Sequence, residues 1–313
     1  MKSRAFPLVL VPIIASGCGS AGEGRLSSTN DRAHARVGAE GGTTDLFRFA
    51  IVGDTRPAVE DDTAGYPTDV ISQIWQDVAA EQPTPTFAIM TGDYMYAETS
   101  GEEVNPQLDL YLSARAAFPN VAYPAMGNHE CASFTFTNCG PGTLLGETAN
   151  YRGFIDRLLS PIQKTTPYYT IHIDAEDGVW TSKFVFVAPN AWNDDQAAWL
   201  DAELSTPTTY TFIVRHESRS IWYAPGTSAS NDIIDRYPYT LLLEGHTHTF
   251  SYSPDTREVI TGIGGAPLAG SINYGYVVAE RRNDGAIQFI AKDYLSKQVF
   301  QTFAVNPDGS PAQ

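Results

Sequence analysis

Four of the six histidines in this 313-residue chain lie in short segments built on one pattern, an apolar β-type run that ends in side chains able to hold a metal ion. The segments are Gly53-Asp54, Gly92-Asp93-Tyr94-Met95-Tyr96, Gly127-Asn128-His129-Glu130, Val214-Arg215-His216 and Gly245-His246-Thr247-His248. Aspartate and asparagine supply hard oxygen donors, and imidazole suits zinc, iron or manganese. Residues two apart on an extended backbone point the same way, so His246 and His248 can reach two adjacent ions. A carboxylate shared between two ions makes the two-metal clamp that favours attack at phosphorus. Any one segment alone reads as an ordinary loop; five in series point to convergence on one centre.

The elements that must position these ends follow from periodicity. Residues 46–52 read as a buried strand ending at Asp54, and Val70, Ile71, Ile74, Trp75 and Val78 give an amphipathic helix over 67–81, stopped by Pro83 and Pro85. A second strand over 86–90 delivers Asp93. A helix over 106–118, with Pro106 in its first turn, precedes a third strand leading to Asn128. A short helix, strands over 168–174 and 181–188, and a helix capped by Asp194 and carrying Ala197, Leu200 and Leu204 follow. Strands over 209–214 and 239–243 end at His216 and His246. Runs at 257–263, 274–282, 286–294 and 298–304 read as an antiparallel closing sheet. Alternating strands and helices with ligands at strand carboxyl ends define an α/β protein, where open sheets place their sites.

The chain carries 36 acidic and 20 basic residues, a net charge of −16. Nucleic acid and anionic membrane surfaces need a basic footprint, so neither is expected as a partner. A small phosphorylated substrate is compatible, because bound cations reverse the local field. Lys2 and Arg4 followed by the apolar 5–14 and by Ala15-Ser16-Gly17-Cys18 read as an export signal over 1–17, too short to span a bilayer. The cysteine resembles a bacterial lipobox, which implies diacylation of Cys18 and a lipid-anchored cell-envelope location, with outer-membrane sorting implied by Gly19; ordinary cleavage to a periplasmic form is the alternative. Residues 18–44 read as a flexible tether with a reach of roughly 25 to 30 Å, and 306–313 as a tail, leaving 45–305 as the catalytic domain. In an oxidising compartment Cys131 and Cys139 are expected to form a disulfide, with two free thiols as the alternative.

Together the five blocks resemble the calcineurin-type metallophosphoesterases and, within them, the purple acid phosphatases, over about residues 46–295. That resemblance implies a four-layer α-β-β-α sandwich with mixed sheets. It also implies two metal ions, the first held by Asp54, Asp93, Tyr96 and His248 and the second by Asp93, Asn128, His216 and His246. Gly92-Asp93-Tyr94-Met95-Tyr96 matches the tyrosinate block of the purple enzymes. Because free tyrosine titrates near pH 10, a Tyr96 phenolate implies Fe(III), beside a divalent Fe, Zn or Mn. The implied reaction is phosphomonoester hydrolysis by a metal-bound hydroxide, with His129 as acid or transition-state stabiliser.

Two departures stand out. Where the superfamily carries Asp-x-His or Asp-x-Gly, this chain has Asp54-Thr55-Arg56, and the fourth block, His216-Glu217-Ser218, lacks the usual proline. Guanidinium cannot ligate a metal. Arg56 is therefore read either as a phosphate contact or as a surface ion pair, and Arg219 as a second phosphate contact. Arg215 should point away from the centre by strand alternation. The glycines at 262–270 lack a following Lys-Ser/Thr, and there is no Gly-x-Ser-x-Gly, so nucleotide-triphosphate and serine-hydrolase chemistry are set aside. Phosphodiester hydrolysis at the same centre and a non-catalytic surface lipoprotein are the remaining alternatives.

Overall fold

The computed structural model describes residues 37–313. The export signal, Cys18, His34 and most of the expected tether lie outside the described residues. Two mixed sheets face each other, and helices cover their outer sides. The strands in chain order are β1 (Gly41–Thr44), β2 (Arg48–Val52), β3 (Phe87–Met90), β4 (Ala122–Pro124), β5 (Tyr169–Ala175), β6 (Ser182–Val187), β7 (Tyr210–Arg215) and β8 (Leu241–Glu244). After them come β9 (Phe250–Ser253), β10 (Glu258–Thr261), β11 (Gly275–Arg281), β12 (Ile287–Asp293) and β13 (Val299–Val305). One sheet has six strands in the order β13-β12-β11-β2-β3-β4, and the other has seven in the order β1-β5-β6-β7-β8-β10-β9.

β2, β3 and β4 run parallel, linked by α1 (Thr68–Ala80) and α2 (Val104–Arg115). Strands covered on both faces need continuous apolar runs, and β2 and β3 are buried along their whole length. Between the sheets Phe49 stacks on Phe87 at 5.2 Å and Phe184 on Phe212 at 4.9 Å, with Phe49 edge-on to Phe184. Such pairs add about 0.5–1.5 kcal/mol each beyond the area they bury. A second core, Val185, Val187, Ile213 and Leu242 from the seven-stranded sheet against Leu200, Leu204, Ile233 and Ile234, lies beneath α4 (Asp194–Ser205) and α5 (Thr227–Ile234), which come after the short α3 (Ala149–Phe154). The implied four-layer sandwich is the observed one.

Several boundaries differ from the sequence reading. The expected tether does not run to 44: Gly41–Thr44 pair in parallel with β5, and Val37 is buried. The expected tail is docked, since Thr240 donates to the Pro307 carbonyl at 2.7 Å and Asn306 N to the Ser310 carbonyl at 2.8 Å. The run at 257–263 does not join the closing strands; β10 pairs in parallel with β8, while β11, β12 and β13 extend the other sheet antiparallel. α2 starts two residues before Pro106, which still sits where its missing N–H has no helical partner. Asn193, not Asp194, caps α4, its side chain accepting from Gln196 N.

Candidate metal centre

The parallel strands of both sheets deliver their ends to one place. Asp54, Asp93 and Asn128 follow β2, β3 and β4; His216 follows β7; His246 and His248 follow β8. Asp54, Asp93, His246 and His248 all have positive φ, between 50° and 70°. Non-glycine residues rarely adopt this left-handed conformation, and when they do it clusters at functional sites. Glycine is required beside them. A Cβ on Gly92 would come 2.5 Å from His216 Nδ1, and one on Gly245 2.4 Å from Asp54 Oδ2.

Among the described residues, Asp54, Asp93 and His248 each offer a donor atom within 4.8 Å of the others, as do His216, Glu217 and His246. His216 Nε2 lies 3.2 Å from Asp93 Oδ1 and 3.2 Å from His246 Nδ1, which lies 3.0 Å from Asn128 Oδ1. His248 Nε2 lies 3.4 Å from Asp54 Oδ1. The opposite ring nitrogens fix the tautomers. His216 Nδ1 donates to the Thr91 carbonyl at 2.8 Å, and His248 Nδ1 to the Pro267 carbonyl at 2.7 Å. Both Nε2 lone pairs are thus turned inward, the arrangement metal-ligating histidines use. Asn128 donates its amide to the Ser133 carbonyl, which turns its oxygen the same way.

These facing acceptors call for positive charge. Burial opposes protonation of His216, yet Asp93 and then Asp54 hold its pKa well above the usual value. Burial lowers His246 to about 3, with the charge on His216 adding to it. An extra proton on His216, or a cation between the donors, relieves the same conflict. The donor set of two carboxylates, an amide oxygen and three imidazoles therefore fits a pair of metal ions of the hard-to-borderline class.

His129 is buried, its Nε2 3.7 Å from Asp93 Oδ2 and its Nδ1 without a partner. Burial, opposed by Asp93, lowers its pKa to about 3 and keeps the ring neutral. Tyr96 packs its ring edge-on against His129 at 4.4 Å, and the Arg56 guanidinium lies 4.8 Å over its face. Arg56 is no surface residue: its Nε is 3.5 Å from Asp93 Oδ2 and its Nη2 3.4 Å from His248 Nε2. Arg219, expected at the phosphate, instead places Nη2 against both oxygens of Asp235, at 2.6 and 2.8 Å. Cys131 and Cys139 are free, buried thiols in this structure. The expected disulfide is therefore not formed here, although the two thiols lie within hydrogen-bonding reach of each other.

Two residues that the sequence reading left without a role belong to the site. Glu130 is fully buried and accepts from the backbone N–H groups of Asp93, Gly127 and Tyr94 at 2.8–2.9 Å, tying the β3 end to the β4 end. Glu217 is buried with neither carboxylate oxygen partnered. Their only sequence signal is adjacency to His129 and His216. A cavity of about 410 Å³ lined by Cys139, Tyr151, Arg152, Tyr168 and Asn193 contains none of the donors and is not the centre.

Fold and donors together define an α/β sandwich whose strand ends gather a candidate metal centre. The model of the calcineurin-like phosphoesterases matches residues 47–250, and the chain belongs to that family of metal-dependent phosphoesterases. Comparison with curated protein sequences finds no significant match. Among solved structures it is similar to a purple acid phosphatase from yellow lupin (Lupinus luteus) seeds, at 16% identity and TM-score 0.58 over 83% of this chain and 54% of that one. It is also similar to a dimetal phosphatase from Danio rerio, at 12% identity and TM-score 0.57 over 84% of this chain and 99% of that one. GAP50, the anchor in the inner membrane complex of Plasmodium, gives 14%, 0.55, 84% and 89%. The chain spans about half the length of the lupin protein. At these identities the likeness is one of fold.

Proposed function

We propose that the protein hydrolyses phosphate monoesters at a centre of Fe(III) and a divalent Fe, Zn or Mn ion. The observation that carries this reading is the convergence of Asp54, Asp93, Asn128, His216, His246 and His248 with their lone pairs turned toward one another. Asp54, Tyr96, His248 and Asp93 would hold the first ion, and Asp93, Asn128, His216 and His246 the second. When bound, the ions supply Lewis acidity toward phosphoryl oxygens and acidify a water. The chain's own groups do the rest. Asp93 would serve both positions, and it holds His129 N and His216 Nε2 beside them. Arg56 adds positive charge where phosphoryl oxygens would sit. His129, neutral and with an unpartnered nitrogen, would donate a hydrogen bond to the departing oxygen, and would act as an acid only if substrate and metal raise its pKa. The loops leaving His129 and His216 carry exposed aromatics, Phe134 and Phe136 on one, Trp222 and Tyr223 on the other, which suit an organic leaving group.

Metal-loaded protein should turn over nitrophenyl phosphate faster than bis-nitrophenyl phosphate. The reverse order would make it a phosphodiesterase, and no turnover on a broad phosphoester panel would leave a binding protein. Iron-loaded, oxidised protein should be coloured, and Tyr96→Phe should abolish the phenolate-to-iron absorption; a colourless wild type would remove the ferric assignment. We extend the proposal to export and lipid anchoring at Cys18, with the Cys131–Cys139 disulfide formed after export. Cys18→Ala should release the protein from membranes, and thiol labelling with and without reductant reads the pair.

A further inference from the structure

The two cation positions are not equivalent, and the difference lies in Glu217 and Arg56. Beside the donors assigned to the second position lies Glu217. Its carboxylate is fully buried, lies within reach of the His216 and His246 nitrogens, and has no hydrogen-bond partner on either oxygen. A buried, unpartnered carboxylate is costly unless a cation answers it. At the first position a cation is already present. The His248 Nδ1 bond to the Pro267 carbonyl leaves Nε2 as a lone pair, and beside Asp54 Oδ1 at 3.4 Å the donor that faces it is Arg56 Nη2, also at 3.4 Å. Arg56 Nε lies 3.5 Å from Asp93 Oδ2, and its guanidinium covers the face of Tyr96. It thereby engages three of the four groups assigned above to the first ion. One lone pair cannot serve an N–H and a metal at the same time.

We infer that Arg56 acts as a displaceable cation in the first metal position, so that the centre holds its second-position ion firmly and admits the first only by evicting the guanidinium. The inference rests on the dinuclear reading above. Its consequence is unequal, ordered occupancy. If the arginine holds the position about nine-tenths of the time, the apparent dissociation constant of the first-position ion rises about tenfold. Eviction is local, because the anchor at the other end of the fork is a hydrogen bond from Nη1 to the Pro57 carbonyl at 3.0 Å, next in the chain. Glu217 biases the order further by adding negative charge only to the other position.

The test is metal stoichiometry, read by equilibrium dialysis of metal-stripped full-length protein against Mn²⁺ with elemental analysis, independent of turnover. Wild type should bind one equivalent tightly and a second about tenfold or more weakly. Arg56→Ala should bring the second equivalent to within a few-fold of the first. Arg56→Gln, close in size but uncharged, guards against a folding defect in the alanine variant and should do the same. Glu217→Gln should weaken the tight equivalent instead. Two equal sites in wild type, or a weak second equivalent unmoved by both Arg56 variants, would overturn the inference and leave the dinuclear reading intact. Failure of the wild type to bind any Mn²⁺, Zn²⁺ or Fe would instead overturn that reading itself.

Discussion

The strand ends of the six-stranded sheet bring oxygen to the centre, in Asp54, Asp93 and Asn128, whereas those of the seven-stranded sheet bring nitrogen, in His216, His246 and His248. The two halves are braced in opposite ways. Beneath the nitrogen half, Arg215 is wholly buried and reaches Glu244 at 3.0 Å, Ser230 at 2.9 Å, Asn231 at 2.8 Å and the Glu217 carbonyl at 2.7 Å. That pair joins the end of β7 to the end of β8 and balances its own charge. Beneath the oxygen half the brace is Glu130, another acid set behind two buried aspartates. Burial, with Asp93 next, pushes its pKa up to about 8. One brace carries its own countercharge, and the other is an acid whose partners are backbone N–H groups alone.

The largest effect should come from Asp93, the residue proposed to serve both positions. Asp93→Asn keeps the shape but removes the shared charge, so metal content should fall below one equivalent. kcat/KM on nitrophenyl phosphate should drop by about a thousandfold or more, since a bound metal is worth several kcal/mol of transition-state stabilisation. Retention of two ions by this variant would mean that the imidazole half suffices. Next in size is the brace of that half. Arg215→Met strands Glu244 in the core, and denaturant unfolding should show a loss of about 3–5 kcal/mol. Replacing Glu244 by leucine as well should recover most of the loss, because the cost lies in the unpaired charge rather than in the absent bond. A double variant that stays as unstable as Arg215→Met would show that the pair itself contributes to stability.

The nitrogen half was the more legible in sequence. His246 and His248 announce themselves by type and by a spacing of two, and His216 by its place after an apolar run, since β-strand periodicity needs no tertiary information. Arg215 was assigned a structural role by the same alternation. The layers and the α1 helix were readable for the same reason, with Ile71, Ile74, Trp75 and Val78 on one face. What escaped depended on partners distant in the chain. α5 has Gly226 at its N-cap and few apolar positions, and it forms because Ile233 and Ile234 find the second core. Gly41–Thr44 looks like tether until β5 offers an edge. Tyr94 and Tyr123 are buried, because the phenol of Tyr94 finds the Ala125 carbonyl at 3.0 Å and that of Tyr123 the Gly38 carbonyl. Arg219 found Asp235 sixteen residues on, a choice between two anions that spacing cannot make.

The smallest expected effect is the one that isolates the brace of the oxygen half from its metal chemistry. In Glu130→Gln a single amide oxygen can still accept from Asp93 N and Gly127 N, but the amide NH₂ then faces Tyr94 N–H, donor against donor. One buried N–H left unpaired costs about 1–3 kcal/mol, so chemical denaturation of metal-stripped protein should show a loss of that size. Above about pH 8, where Glu130 is ionised, the same substitution also removes a negative charge behind Asp93, which weakens the field that draws cations in. Metal-loaded protein should therefore lose more stability than metal-stripped protein. If the two losses are equal, Glu130 is a backbone clip and nothing else, and the charge asymmetry between the halves then rests on Asp54 and Asp93 alone.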